Sequence, residues 1–498
     1  MVGACAAGIG ACGNGSFNAS SASAGTAATA SAPAGVARVP GGDWPTFDFT
    51  PQRSGVGPAD TGITGRNVRG LHLRVVSLNG IVDAAAIELH AVKVGRRRRD
   101  AVFVTTTYGR TIAIDPGTGQ RLWEYTPRDL GTYDGSSQVT DTTPVADPDR
   151  RFIYAVTPDG IVHKLAVSSG REVRSGHWPV RITFDPAREK MDSPLGISGS
   201  AVIAATGGYF GDAPTYQGHA VLIDRASGRI THVFNTLCSS NHGLINPPRA
   251  CPQSDSAIWG RAGVVVQPGS GRLLMATGNA DFNGRTDWGD SVLELSPTLN
   301  LLHNWTPRDQ AYLNDHDTDL GSSSPVFLPT VGGHHLLVQG GKDGQLHLLD
   351  RDRLDGTTGG AGPRVGGELQ DISTPGGGQL LTAPAVWMHR GRVYLFVAED
   401  SGTAAYLVSG GAHPHLSVAW RNGASGTSPV LAGGLLYVYD EADGSLDVYD
   451  PTAGARIATL GAATGHWNSP IVVGGRIILP VGSYHSGAGG GRLYIWHR

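Results

Sequence analysis

Residues 101–125 read AVFVTTTYGRTIAIDPGTGQRLWEY. A β-branched run, Ala101 to Thr105, is followed by a turn, a short apolar run ending on Asp115, a Gly-containing turn and a third run. That is the pattern of short strands joined by tight turns. The same order recurs in residues 151–173, 218–234, 335–356 and 435–460. The pairs Asp159-Gly160, Asp343-Gly344 and Asp443-Gly444 predict two-residue hairpins, because Asp and Gly tolerate positive φ. Gly119, Gly170, Gly228 and Gly454 mark the next turn of each unit. Many units open on a small residue, a Pro and an apolar residue: Thr143-Pro144-Val145, Ser324-Pro325-Val326, Ala383-Pro384-Ala385, Ser428-Pro429-Val430 and Ser469-Pro470-Ile471. A Pro is tolerated at a strand's first residue, where its missing N–H breaks no ladder bond.

Units at intervals of roughly 40–60 residues make about eight over the chain, and four-strand units of that period are propeller blades. The expected fold is therefore all-β: an eight-bladed β-propeller of four-stranded antiparallel blades. The 73 glycines, 30 prolines and 16% charged residues agree with many short strands. No long window carries apolar residues at the helical period. The lone strand Leu71 to Ser77 is expected to close the ring beside the C-terminal strand Arg492 to Trp496, which removes an open edge.

Residues 1–42 are of different material. The stretch from Ser16 to Gly35 is Ala, Ser, Gly and Thr, which cannot bury a core and reads as a tether. Ahead of it, Ile9-Gly10-Ala11-Cys12 resembles a bacterial lipobox, with Cys12 the lipidated residue if translation starts upstream. The alternative is a low-complexity leader without a role. Residues 43–498 are expected to form one domain. Cys238 and Cys251 bracket a Pro-containing loop; a disulfide there stabilises by about 3 kcal/mol and suits an extracytoplasmic compartment, periplasm or cell surface. No Cys-x-x-Cys-His occurs to attach a c-type haem. A net charge of −3 argues against nucleic acid as the main partner. The basic run Arg96 to Arg99 reads as a solvated hairpin tip. No apolar run reaches the length of a membrane-spanning helix, so the only membrane link expected is the lipid anchor.

Between Ser254 and Asp350 the repeat gives way to long polar loops. Runs from Gly263 to Val266 and from Arg272 to Met275 flank a turn at residues 268–271. Then come Asn279, Asp281, Asp287, Trp288 and Asp290, and later Asp315, Asp317 and Asp319. Polar loops this long in a compact fold usually carry function.

The repeat, with the D-x-x-T-G turn at Asp115 to Gly119, resembles the quinoprotein alcohol dehydrogenase-like propellers. So does the opening DWPTFDFTPQRSGVG at residues 43–57 with Asn67-Val68 and Leu71. The resemblance covers residues 43–498. It implies pyrroloquinoline quinone and Ca²⁺ in a central channel, and a dehydrogenase acting on an alcohol or sugar hydroxyl. Residue by residue, Trp259 resembles the Trp that stacks on the quinone, and Asn279 the Ca²⁺-ligating Asn. Asp319 resembles the catalytic base, and Lys342 the basic residue on the quinone oxygens. The adjacent Cys-Cys pair of many members is missing. Where a Ca²⁺-ligating Glu belongs, within residues 207–224, the sequence offers Asp212 instead.

Each position has a plainer reading. Trp259 can be a blade-packing aromatic, Asn279 a turn cap, Asp319 a corner residue bonded to backbone amides, and Lys342 an exposed hairpin residue. Asp287, Asp290, Asp315 and Asp317 read as loop solvation or turn residues. The histidines, His316 and the pair His334-His335 included, show no metal-ligand spacing. The alternative functions are a tethered, non-catalytic propeller binding envelope proteins, and a propeller binding a ligand or polysaccharide in its channel.

Overall fold

A computed structural model describes residue 39 and residues 41–212, 215–245, 250–354, 365–484 and 491–498. The leader, with Cys12, and nearly all of the tether lie outside the described residues. The rest is all-β: eight four-stranded antiparallel sheets arranged in a ring. Blade 1 begins at Ile87–Val94, blade 2 at Val145–Ala146, blade 3 at Gly196–Ser198 and blade 4 at Val265–Val266. Blade 5 begins at Val326–Phe327, blade 6 at Ala385–His389, blade 7 at Val430–Ala432 and blade 8 at Ile471–Val473. First strands touch between blades 1 and 2 and successively from blade 5 to blade 8, which places these strands on the inner side of the ring. In blades 2, 5, 6, 7 and 8 the first strand starts on the residue after the repeat's Pro.

The ring closes as expected. His72–Ser77 pairs antiparallel with Arg492–His497, completing blade 8 from both ends of the propeller. The Asp-Gly hairpins differ from expectation. Their loops span residues 158–160, 341–344 and 441–444, longer than two residues, with Gly160, Gly344 and Gly444 at positive φ. Each loop is thus one or two residues longer than the two-residue hairpin.

The later turns are local. The Asp115 carboxylate accepts from the backbone N–H groups of Gly117 and Thr118, at 3.0 and 3.1 Å, and Asp450 does the same for Thr452 and Ala453. Such Asx turns satisfy the backbone between strands. They also dock neighbouring blades. A Cβ on Gly170 would lie 2.5 Å from the Trp123 indole, whose N–H donates to the Val167 carbonyl at 2.8 Å. Trp420 of blade 6 meets Gly454 of blade 7 in the same way.

Residues 44–57 cross the axis. Pro45, Pro51, Ser54 and Gly55 accept hydrogen bonds through their carbonyls from Ala146, Val266, Val386 and Leu431, and Trp44 pairs with Glu88. Five blades are thereby tied to one segment. Phe47 is buried against Ala85, Ala262, Val265 and Ala383. Arg53 donates to Thr46, to the Phe47 carbonyl and to the Leu195 carbonyl. This plug ties the first strands of those blades to one another.

Candidate functional site

A cavity of about 560 Å³ opens among the loops that join the blades. Trp259 lines it from the segment between blades 3 and 4; Asp317 and Asp319 come from the loop before blade 5, and Lys342 from the hairpin of that blade. Asp212 lines it from blade 3. Of the five residues to which the family resemblance assigned roles, Trp259, Asn279, Asp319, Lys342 and Asp212, Asn279 alone does not border it. Its contribution is its backbone N–H, which donates to Asp319 Oδ1 at 2.9 Å.

The local chain explains the approach. Gly278 has no side chain, and a Cβ there would sit 2.3 Å from Asp319 Oδ1 and 3.4 Å from the Trp259 indole nitrogen. Only glycine lets carboxylate and indole close on the same backbone. Asp319 precedes the 3-10 turn Leu320–Ser322, and its carbonyl accepts the Lys342 N–H at 2.9 Å.

Lys342 Nζ then lies 2.5 Å from Asp319 Oδ2, 3.0 Å from Asp317 Oδ1 and 5.5 Å from the centre of the Trp259 ring. Burial pushes the Asp319 carboxyl above the ordinary carboxylate range even with Lys342 beside it. Burial alone would lower the Lys342 ammonium, yet the charges and hydrogen bonds of Asp319 and Asp317 carry it above its usual value. The result is a nearly buried carboxylate held by a cation over an indole face.

The polar loop residues divide. Asp317 is 65% exposed, in keeping with a solvated loop. Asp290 departs from that reading: it is fully buried and accepts from Leu320 N–H at 3.1 Å. Burial pushes its carboxyl well up. Asp287 is buried too, accepting from Cys238 N–H at 2.8 Å. These two carboxylates organise the loops by capping backbone amides, because the loops fold back over blades 4 and 5 instead of standing in water. Cys238 and Cys251 are bonded, with Cα atoms 5.9 Å apart.

Several lining residues carried no sequence signal. Glu189–Lys190 pairs with Gly207–Gly208 as a small two-stranded sheet, and Lys190 reaches Asp141 and Asp192 at 2.5 and 2.8 Å. Arg261, His466 and Trp467 complete the far wall, and Phe210, 94% exposed, stands at the rim.

A planar aromatic cofactor fits this cavity: there is an indole face, room above it and basic groups around it. A Ca²⁺ does not fit the donors as they stand. Among the described residues no three His, Cys, Asp or Glu side chains converge on a cation position. Asp319 is engaged by Lys342, and Asp212 accepts from the Tyr216 hydroxyl at 2.8 Å.

Comparison with solved structures agrees on the fold. The quinohemoprotein alcohol dehydrogenase of Comamonas testosteroni matches at a TM-score of 0.65 and 15% identity, over 91% of this chain and 80% of that one. The quinohemoprotein alcohol dehydrogenase ADHIIG of Pseudomonas putida HK5 matches at 0.67 and 13%, over 92% and 80%. A europium-containing methanol dehydrogenase matches at 0.65 and 15%, over 92% and 98%. The eight-bladed propeller fold is the one these quinoprotein dehydrogenases have. At such identities the likeness is one of fold. No family model matches the sequence, and no curated protein does.

Proposed function

We propose that the protein is an extracytoplasmic quinoprotein-type oxidoreductase. Its cavity receives pyrroloquinoline quinone on Trp259, and its substrate offers an alcohol or sugar hydroxyl. The observation that carries this reading is the meeting of Trp259, Asp319 and Lys342 in one cavity, drawn from three separate stretches of chain. The quinone, when bound, supplies a two-electron acceptor. Trp259 gives a flat apolar platform. Lys342 presents an ammonium over that platform to oxygens at the ligand's edge. Asp319, its carboxyl raised by burial, takes the hydroxyl proton as general base. No step is routed through Ca²⁺. In this reading residues 1–42 tether the propeller to a membrane through Cys12.

The test is titration of the purified protein with pyrroloquinoline quinone, with and without Ca²⁺, followed by quinone absorbance and thermal shift. One-to-one binding that Trp259→Ala abolishes and Lys342→Met weakens is the expected result. Absence of binding under both conditions sinks the reading.

One observation favours a second reading. Asp319 and Lys342 satisfy each other and no cation cluster accompanies them, as in a propeller that keeps its shape without the chemistry. Such a chain would act as a scaffold for envelope proteins. Failure to bind quinone, together with recovery of a specific partner from envelope extract, would favour it.

A further inference from the structure

Consecutive strands of each blade run antiparallel, so their connections alternate between the two faces of the ring. The segment entering a blade and the turn between its second and third strands lie on the cavity face, where Trp259, Asp319 and Lys342 stand. The turns between first and second and between third and fourth strands lie on the opposite face. That face is rich in exposed arginine. Arg96 belongs to the first turn of blade 1, with Arg97 and Arg98 just after it. Arg151 ends the first turn of blade 2, and Arg390 and Arg392 flank that of blade 6. Among the described residues, no carboxylate forms an ion pair with any of these six. Arg171 and Arg229 are exposed at the third turns of blades 2 and 3.

The acids of this face are largely engaged within it. Asp115, Asp224 and Asp450 accept from backbone amides of their own turns, and Asp147 is bonded by Tyr154 and Arg225; Asp149 and Asp352 remain exposed. The cavity face, by contrast, exposes carboxylates beside its arginines, among them Asp134, Asp315, Asp317, Asp400 and Asp443. The net charge of −3 thus conceals an arginine-rich side. Between blades 8 and 1 that side also holds a cleft of about 430 Å³, lined by Arg74, Arg476, His497 and Arg498 and by no acidic side chain.

The chain enters the propeller from the same side. Trp44 pairs with Glu88, and the His90 N–H donates to Asp43 Oδ1 at 2.7 Å. Traced backwards, the segment therefore runs towards the Val94 end of blade 1's first strand. The Asp43 carboxylate meets Arg150, in the first turn of blade 2, at 2.8 Å. Whatever precedes residue 41 is joined to the arginine-rich face.

We propose that this face docks on an anionic lipid surface, with lipid phosphates as its ligands, so that the cavity opens away from the membrane. Guanidinium forks pair with phosphate oxygens through two parallel hydrogen bonds. Basic residues spread over one face add their attractions to a negatively charged leaflet. One acyl chain alone holds a protein only marginally, whereas a chain together with a basic patch holds it stably. Cys12 ahead of this face and the arginines on it would make such a pair. Docking needs no quinone in the cavity, so it stands or falls apart from the reading above.

The test is co-sedimentation of the full-length chain, produced without an acyl group, with vesicles of phosphatidylcholine containing or lacking a one-third share of phosphatidylglycerol. Binding to the anionic vesicles alone, weakening as salt rises, is expected. Arg96→Gln, Arg97→Gln and Arg98→Gln together should weaken it by about fivefold per charge, on the order of a hundredfold in all. Arg390→Gln with Arg392→Gln reads the same face independently and should cost about twentyfold. Removing three charges from the cavity face, by Arg128→Gln, Arg188→Gln and Arg285→Gln, should change binding by no more than about twofold. Equal binding to both kinds of vesicle overturns the proposal, and so do equal losses from the two triple variants. Tighter binding to duplex DNA than to anionic vesicles would reassign the face to nucleic acid. Release from vesicles by millimolar inorganic phosphate would reduce it to a site for the free ion, and either result overturns lipid docking.

Discussion

One hairpin of blade 5 carries two clusters in which a cation sits between two carboxylates. At its turn, Lys342 joins Asp319 and Asp317. Just inside the following strand, the two ring nitrogens of His347 meet Asp371 and Asp343, at 2.8 and 3.0 Å. The composition is alike and the surroundings are not. His347 is packed against Trp305 at 5.1 Å and does not border the cavity. Burial would lower the imidazolium, but the two carboxylates hold it at about 9. Lys342 borders open space and an indole face. The cluster away from the cavity bears on stability, whereas the open one beside it can also trade partners with a ligand.

The largest expected effect is that of Lys342→Met. Removing the cation leaves Asp319 buried and unpaired, at a cost of about 3–4 kcal/mol near neutral pH. Asp319, already raised, rises further, so the folded variant binds its proton more tightly than the unfolded chain does. The penalty must therefore shrink as pH falls. Urea denaturation at pH 5 and pH 8 checks this; an equal loss at both would show that the cluster is not ionic.

His347→Gln comes next, at about 2–3 kcal/mol once the exposure of Asp371 is discounted. Here the sign is opposite. A folded pKa raised from 6.5 to about 9 contributes fully below pH 6.5 and is lost as pH rises through 9. The gap between wild type and variant should close over that window in melting curves. A constant gap would mean that the imidazole acts through packing alone.

Asp371→Asn should cost less, about 1 kcal/mol, since its side chain is 45% exposed. Asp317→Asn should cost about 0.5 kcal/mol or less, because Asp317 is more exposed still and Asp319 remains with Lys342. Denaturation midpoints that reversed this order would place the weight of the open cluster on its solvated arm.

The architecture was legible because the repeat writes its rules locally. The Pro before a blade's first strand, the Asp of an Asx turn and the Gly under a neighbour's Trp each act within a few residues of their own position. Trp259, Asp319, Lys342 and Asp212 stood out through the family resemblance, and they border one cavity. Arg261, Lys190 and Trp467 did not stand out. Blades 3, 4 and 8 meet at the cavity only through the ring, and no local spacing encodes that meeting. Asp290 was read as a loop acid for the same reason, since the Leu320 amide it caps lies on another loop.

The plug at residues 44–57 bears on how the propeller forms. Its hydrogen-bonding partners lie in blades 1, 2, 4, 6 and 7, so the surface it occupies does not exist until those blades stand around one axis. Although it leads the propeller in sequence, this segment should be among the last to settle, its contacts being the most distant along the chain and the slowest to assemble. Phe47 and Arg53 would then act as a latch that fastens the assembled blades to one another in a single cooperative event. A chain stalled before that step would have blades with nothing binding them across the ring.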